Sequence, residues 1–156
     1  MDIKTAYAQV QHKYKLPPYE TLNSEFELLY ASPVIEITYP LRFIRRRIND
    51  KIYWICNMIQ SIMQPNPSSL VNMHEASAFS KEDKEHLSTL LKDLMRLERT
   101  SFVIDIKHSE QGDATFIKDA FSLWKEKKKD ITAFANKLVE SWTLEEKKQK
   151  KDHYFG

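Results

Sequence analysis

Between Pro40 and Gln64 the apolar residues fall at Leu41, Ile44, Ile48, Ile52, Ile55, Ile59 and Ile62. Steps of three and four place them on one face of an α-helix. The pattern predicts a long helix over about 41–64 whose isoleucine seam must be buried against other helices. Two later stretches supply partners. One carries Leu87, Leu90, Leu91, Leu94 and Leu97 and runs to about Ile106. The other carries Phe116, Ile117, Ala120, Phe121, Trp124, Phe134, Leu138 and Trp142. The second is the richest in aromatic residues, so it is expected to supply much of the buried area.

Shorter elements flank these three. Ile3, Tyr7, Val10 and Tyr14 have helical spacing, and Pro17-Pro18 ends it. A second short helix is expected over Tyr19–Tyr30, with Leu22, Phe26 and Leu29 on one face. The stretch Ala31–Tyr39 is β-like in composition, but a single strand has no ladder partner; it is expected to be an extended connector. Pro65-Asn66-Pro67 stops the central helix, and Leu70–Phe79 reads as a short one. Ser80 with Asp83 three residues on resembles a capping box at the start of the next long helix. The only internal glycine, Gly112, breaks the pattern before the last helix, which Asp113 is expected to cap. Residues 143–156 are mostly charged and read as a flexible tail, leaving 1–142 as one helical domain.

Glycine usage strengthens this reading. The chain has 2 glycines in 156 residues. Hairpins, bulges and phosphate-cradling loops depend on glycine for positive φ. The expected fold is therefore all-α: an antiparallel bundle of three long helices with two short N-terminal helices and the extended connector. A nucleotide-binding α/β domain is excluded because no glycine-rich loop can be written.

Charge and cysteine content add limits. Lysine and arginine total 24 against 22 acids, too balanced to imply nucleic acid from bulk charge alone. The single cysteine, Cys56, allows no internal disulfide and fits a reducing compartment. No apolar run is long enough for a membrane span, and the polar N-terminal residues do not resemble a secretory signal. A soluble cytoplasmic chain with no membrane partner is expected.

Candidate chemistry is sparse. Asp83/His86 and Asp105/His108 are Asp-x-x-His pairs, a spacing that carboxylate-bridged metal bundles use. Both fall in one predicted helix, about 33 Å apart at ~1.5 Å per residue, so one site cannot use both. His74-Glu75 begins a zinc-protease motif, but Ala78 stands where the second histidine belongs. Cys56 lies beside the isoleucine seam, where a thiol is inert. No catalytic residue, metal or cofactor is assigned.

The most distinctive polar feature is Arg42, Arg45, Arg46 and Arg47, with Tyr39 and Phe43 alongside. Arg42, Arg45 and Arg46 recur at three and four residues and are expected to form a ridge. The plainest reading pairs them with Glu20, Glu25, Glu27 or Glu36. The sharper readings give them an acidic protein partner or a nucleic acid, since arginine forks grip carboxylates and phosphates at two points. Lysine runs at 125–129 and in the tail, including Lys147 and Lys148, would extend a polyanion-binding patch if they lay nearby. Tyr53 and Trp54 lie off the seam; burial under the N-terminal helices is favoured for them, and exposure would mark a protein interface.

These features lead to an expected role as a non-enzymatic protein-interaction or scaffold module, a small subunit of a larger complex. Its partner or polyanion contacts are assigned to Arg42, Arg45, Arg46, Lys147 and Lys148. Nucleic-acid or polyanion binding is the first alternative, and a helical-bundle enzyme the second.

Overall fold

A computed structural model describes residues 2–28 and 38–152, with side chains through residue 143. Its described residues form six helices: α1 (Ile3–Tyr14), α2 (Tyr19–Phe26), α3 (Pro40–Met63), α4 (Leu70–Ser77), α5 (Lys81–Lys107) and α6 (Glu110–Asp152). The fold is all-helical, and the three long helices α3, α5 and α6 pack together as a bundle. Most of the expected extended connector, residues 31–37, lies outside the described residues.

The isoleucine seam behaves as its spacing requires. Leu41, Ile44, Ile48, Ile52, Ile55, Ile59 and Ile62 are all buried, none more than 5% exposed. Each such burial contributes about 1.5–3 kcal/mol.

The chain divides into two compact units, Met1–Ile55 with Asp93–Lys125, and Cys56–Lys92 with Glu126–Gly156. In the first, Ile44, Ile48 and Ile52 are buried together with Leu94, Leu97, Phe116, Ile117 and Trp124. The short N-terminal helices are tied in by polar contacts. The Trp124 indole donates to Glu25 at 2.6 Å and its ring meets Phe26 at 5.2 Å. Lys13 and Tyr14 both donate to Glu110, at 3.0 and 2.5 Å. Tyr7 lies 5.8 Å from Tyr19, ring to ring, and its hydroxyl donates to the Pro17 carbonyl.

In the second unit Ile59, Ile62, Ala76, Phe79, Leu87, Leu90 and Phe134 are buried. The rings of Phe79 and Phe134 meet at 5.6 Å. The capping box at the start of α5 forms: the Ser80 amide donates to Asp83 at 2.7 Å, and the Asp83 amide donates to the Ser80 hydroxyl at 3.1 Å. On α4 the His74 ring stacks on Trp142 at 4.1 Å, and the Trp142 indole donates to Glu75.

Three expectations need correction. The second helix ends at Phe26 rather than Tyr30, because Glu27 adopts a left-handed conformation with φ 54°. The last helix is capped by Ser109, not Asp113: the Gly112 amide donates to the Ser109 hydroxyl at 3.0 Å. Gly112 lies within the first turn, where a Cβ would meet Ser109 at 3.3 Å and the Ile104 side chain at 3.4 Å. The same helix runs to Asp152. Its C-terminal part also contributes less burial than its composition suggests, with Val139 67% and Trp142 41% exposed.

Candidate functional site

The positions of the arginines on α3 follow from helical phase. Arg45 lies four residues after Leu41 and three before Ile48, so it occupies the seam itself and points inward. It is 0% exposed. Its Nε donates to Asp113 at 2.5 Å and its Nη2 to Asp105 at 2.5 Å. Its Nη1 donates to the Ser101 hydroxyl at 2.5 Å and to the Ser101 carbonyl at 3.1 Å. Three nitrogens of the fork are thus satisfied, the condition on which a buried charge depends. Burial alone would lower the arginine pKa, but the bonds to Asp105 and Asp113 outweigh it and raise it.

This corrects the expected arginine ridge at its middle member. Arg45 has no accessible surface with which to meet a partner. Its counter-ions are Asp105 and Asp113, not the glutamates of the N-terminal segment. A signal for this existed. Arg45 sits at a seam position of α3, and Asp113 stands one turn before Phe116 and Ile117 on the apolar face of α6. Opposite charges on two apolar faces are a sign of a buried pair.

The neighbouring arginines face out. Arg46 is bonded to Asp105 at 2.9 and 3.2 Å while its side chain stays 57% exposed. The hydrogen bond from Arg45, helped by Arg46, holds the Asp105 carboxyl below its ordinary pKa despite partial burial. Arg42 lies over the Tyr39 ring at 4.7 Å. Arg47 lies over the Phe43 ring at 5.6 Å, with Asp50 at 3.9 Å. Lys51 is drawn away, to the Glu25 carbonyl at 2.6 Å and the Trp124 ring.

Further along the same outward face stand Tyr53 and Trp54, 52% and 63% exposed. The N-terminal helices do not bury them, contrary to the favoured expectation. Two parallel ridges result, one with Arg42, Arg46 and Tyr53, in phase with the half-buried Asn49, the other with Phe43, Arg47, Asp50 and Trp54. Both run in steps of four, three and four. Tail residues Lys147 and Lys148 belong to the backbone of α6, but their side chains lie outside the described residues.

Other candidates have structural partners. Asp83 is engaged by Lys137 and by the Ser80 amide, and Asp105 by the two arginines. Among the described residues no group of three or more His, Cys, Asp and Glu side chains gathers to hold a metal ion. Cys56 is buried beside Ile55 and Ile59 of the seam. No described helix is long and apolar enough to cross a membrane. Comparison with family models, with curated proteins and with solved structures finds no match for this chain.

Proposed function

We propose that this chain is a protein-interaction module that docks through the outward face of α3. The observation that carries this reading is the exposure of Trp54 and Tyr53 beside Arg42, Arg46 and Arg47. Tryptophan, tyrosine and arginine are the residue types that dominate interface energy, because they combine large apolar area with directional polar contacts. The fitting occupant is an amphipathic segment of a partner protein. It would be apolar against Tyr53 and Trp54, and acidic against Arg42 and Arg46.

A polyanion is the weaker fit. Four arginines, Arg42, Arg45, Arg46 and Arg47, stand against Asp50, Asp105 and Asp113, leaving a net charge of +1 in this cluster. That is small beside the about six to ten phosphate contacts of a typical DNA-binding protein.

The test is a photo-reactive amino acid at position 54, with one at the exposed Phe102 of α5 as control. The expected result is a discrete protein adduct from position 54, lost on Arg46→Glu and absent from position 102. Equal adducts from both positions, or none from 54, would overturn the proposal. Cross-linking to nucleic acid, with binding that falls steeply with salt, would replace it by the polyanion reading.

A further inference from the structure

The outward residues Phe43, Arg46, Asp50 and Tyr53 of α3 follow one another by three, four and three. A stripe with that period can lie along a second helix. Its order is sorted: aromatic rings stand at the two ends, and a base and an acid lie between them. Arg42 flanks one end and Trp54 the other, about 18 Å apart. All six belong to the first compact unit.

An antiparallel copy of the stripe, related by a twofold axis level with Ile48, reverses this order. Arg46 then stands opposite Asp50 of the second copy, and Asp50 opposite its Arg46. At each end Arg42 and Phe43 reach Tyr53 and Trp54 of the other copy, so a guanidinium and a ring meet two further rings. An isologous contact makes every such pairing twice. Other arrangements set like on like. Moving the axis two residues towards either end places Arg46 on Arg46 or Asp50 on Asp50, and a parallel pairing does both. Like charges facing each other across an interface are penalised, so the charge order selects one register. In the chain itself Arg46 has Asp105 at 2.9 Å and Asp50 has Arg47 at 3.9 Å, with the Arg46 and Asp50 side chains 57% and 69% exposed. Pairs this exposed contribute little, so sharing or exchanging them costs the fold little.

The geometry points to a second copy of this chain as the occupant of the α3 face, an inference that rests on the docking role proposed for that face and names its partner. Two Arg46–Asp50 pairs hold the centre of the contact, and an aromatic cluster closes each end. Within it Arg42 meets the Tyr53 ring rather than an acid. One helix face of this length falls short of the roughly 800 Å² per partner of a stable complex, so a weak, concentration-dependent dimer is expected.

The experiment is sedimentation velocity of the full chain from micromolar to millimolar concentration, as the parent and as two charge-reversed variants. The parent should pass from monomer to dimer and no further, because an isologous contact closes on itself. Arg46→Glu and Asp50→Arg should each weaken the dimer roughly tenfold or more, since each sets like charges opposite one another. An equimolar mixture of the two variants should associate again: one copy then presents two acids at positions 46 and 50, and the other two arginines. Circular dichroism checks that each variant folds. Asp50 is the more exposed of the two, so the loss in Asp50→Arg stands by itself if Arg46→Glu does not fold. A parent chain that stays monomeric at millimolar concentration overturns the proposal, as does a mixture no more associated than its components. A monomeric chain that still yields an adduct with another protein from position 54 overturns the self-pairing and leaves the docking role standing. A monomer with no adduct overturns both.

Discussion

Arg45 and Asp113 meet at 2.5 Å, Nε to Oδ1, with the arginine side chain 0% and the aspartate side chain 5% exposed. The bond joins α3 to the first turn of α6, and Asp105 brings α5 to the same guanidinium. Removing one partner of such a pair leaves the other charge buried without compensation.

Arg45→Met should therefore destabilise the chain by about 3–5 kcal/mol. Arg45→Lys should not restore it, because a point ammonium cannot reproduce the fork that reaches Ser101, Asp105 and Asp113 at once. The double variant Arg45→Met with Asp113→Leu should recover much of the loss, since an apolar pair of similar volume needs no counter-ion. Urea unfolding with an unchanged slope checks all three. A double variant no more stable than Arg45→Met alone would show that the packing geometry, not the stranded carboxylate, sets the cost.

Acid should weaken the fold in a defined window. The hydrogen bond from Lys137, with the Ser80 amide, holds Asp83 down from 3.8 to about 2. A carboxyl depressed in the folded state contributes stability above its unfolded pKa, and that contribution is lost as pH falls through the folded value. The loss attributable to Asp83 thus lies between about pH 4 and pH 2. Asp105, also lowered, acts in the same direction. Thermal midpoints measured from pH 6 to pH 2 should fall less steeply in Asp83→Asn than in the parent chain.

Among the described residues three non-glycine residues hold left-handed backbone: Lys15 at φ 52°, Glu27 at φ 54° and His108 at φ 52°. Each ends a helix, as where Leu16 reaches back past Lys15 to the Gln11 carbonyl at 3.0 Å. A Cβ in this region costs roughly 1–2 kcal/mol, partly offset because glycine has more freedom to lose on folding. Lys15→Gly and His108→Gly should each stabilise by up to about 1 kcal/mol. Gln9→Gly, inside α1, should cost about 1 kcal/mol. Thermal melts of the three variants decide it.

Local features were legible from the chain. The Ser80–Asp83 capping box needs only residues three apart, and both of its hydrogen bonds form. The seam from Leu41 to Ile62 needs only a helical period and an aversion to water. The scarcity of glycine pointed correctly to helices, though the chain still makes left-handed caps from lysine, glutamate and histidine. Asp113 is legible as a polar residue near a helix start, but its spacing suggests a cap, because nothing local distinguishes a cap from a counter-ion one turn further in.

By itself the sequence determined the helical elements and which face of α3 turns from solvent, since periodicity and hydrophobicity act between neighbours along one chain. Only the tertiary structure decided that Arg45 enters the core while Arg42 and Arg46 do not, that Trp54 stays in water, and that a cavity opens beside Lys127. Those outcomes depend on what another helix, distant in the chain, places opposite: Asp105 and Asp113 for Arg45, and Leu87 and Leu90 across the gap from Lys127. A charge is buried where its counter-charge arrives, and no local spacing records that arrival.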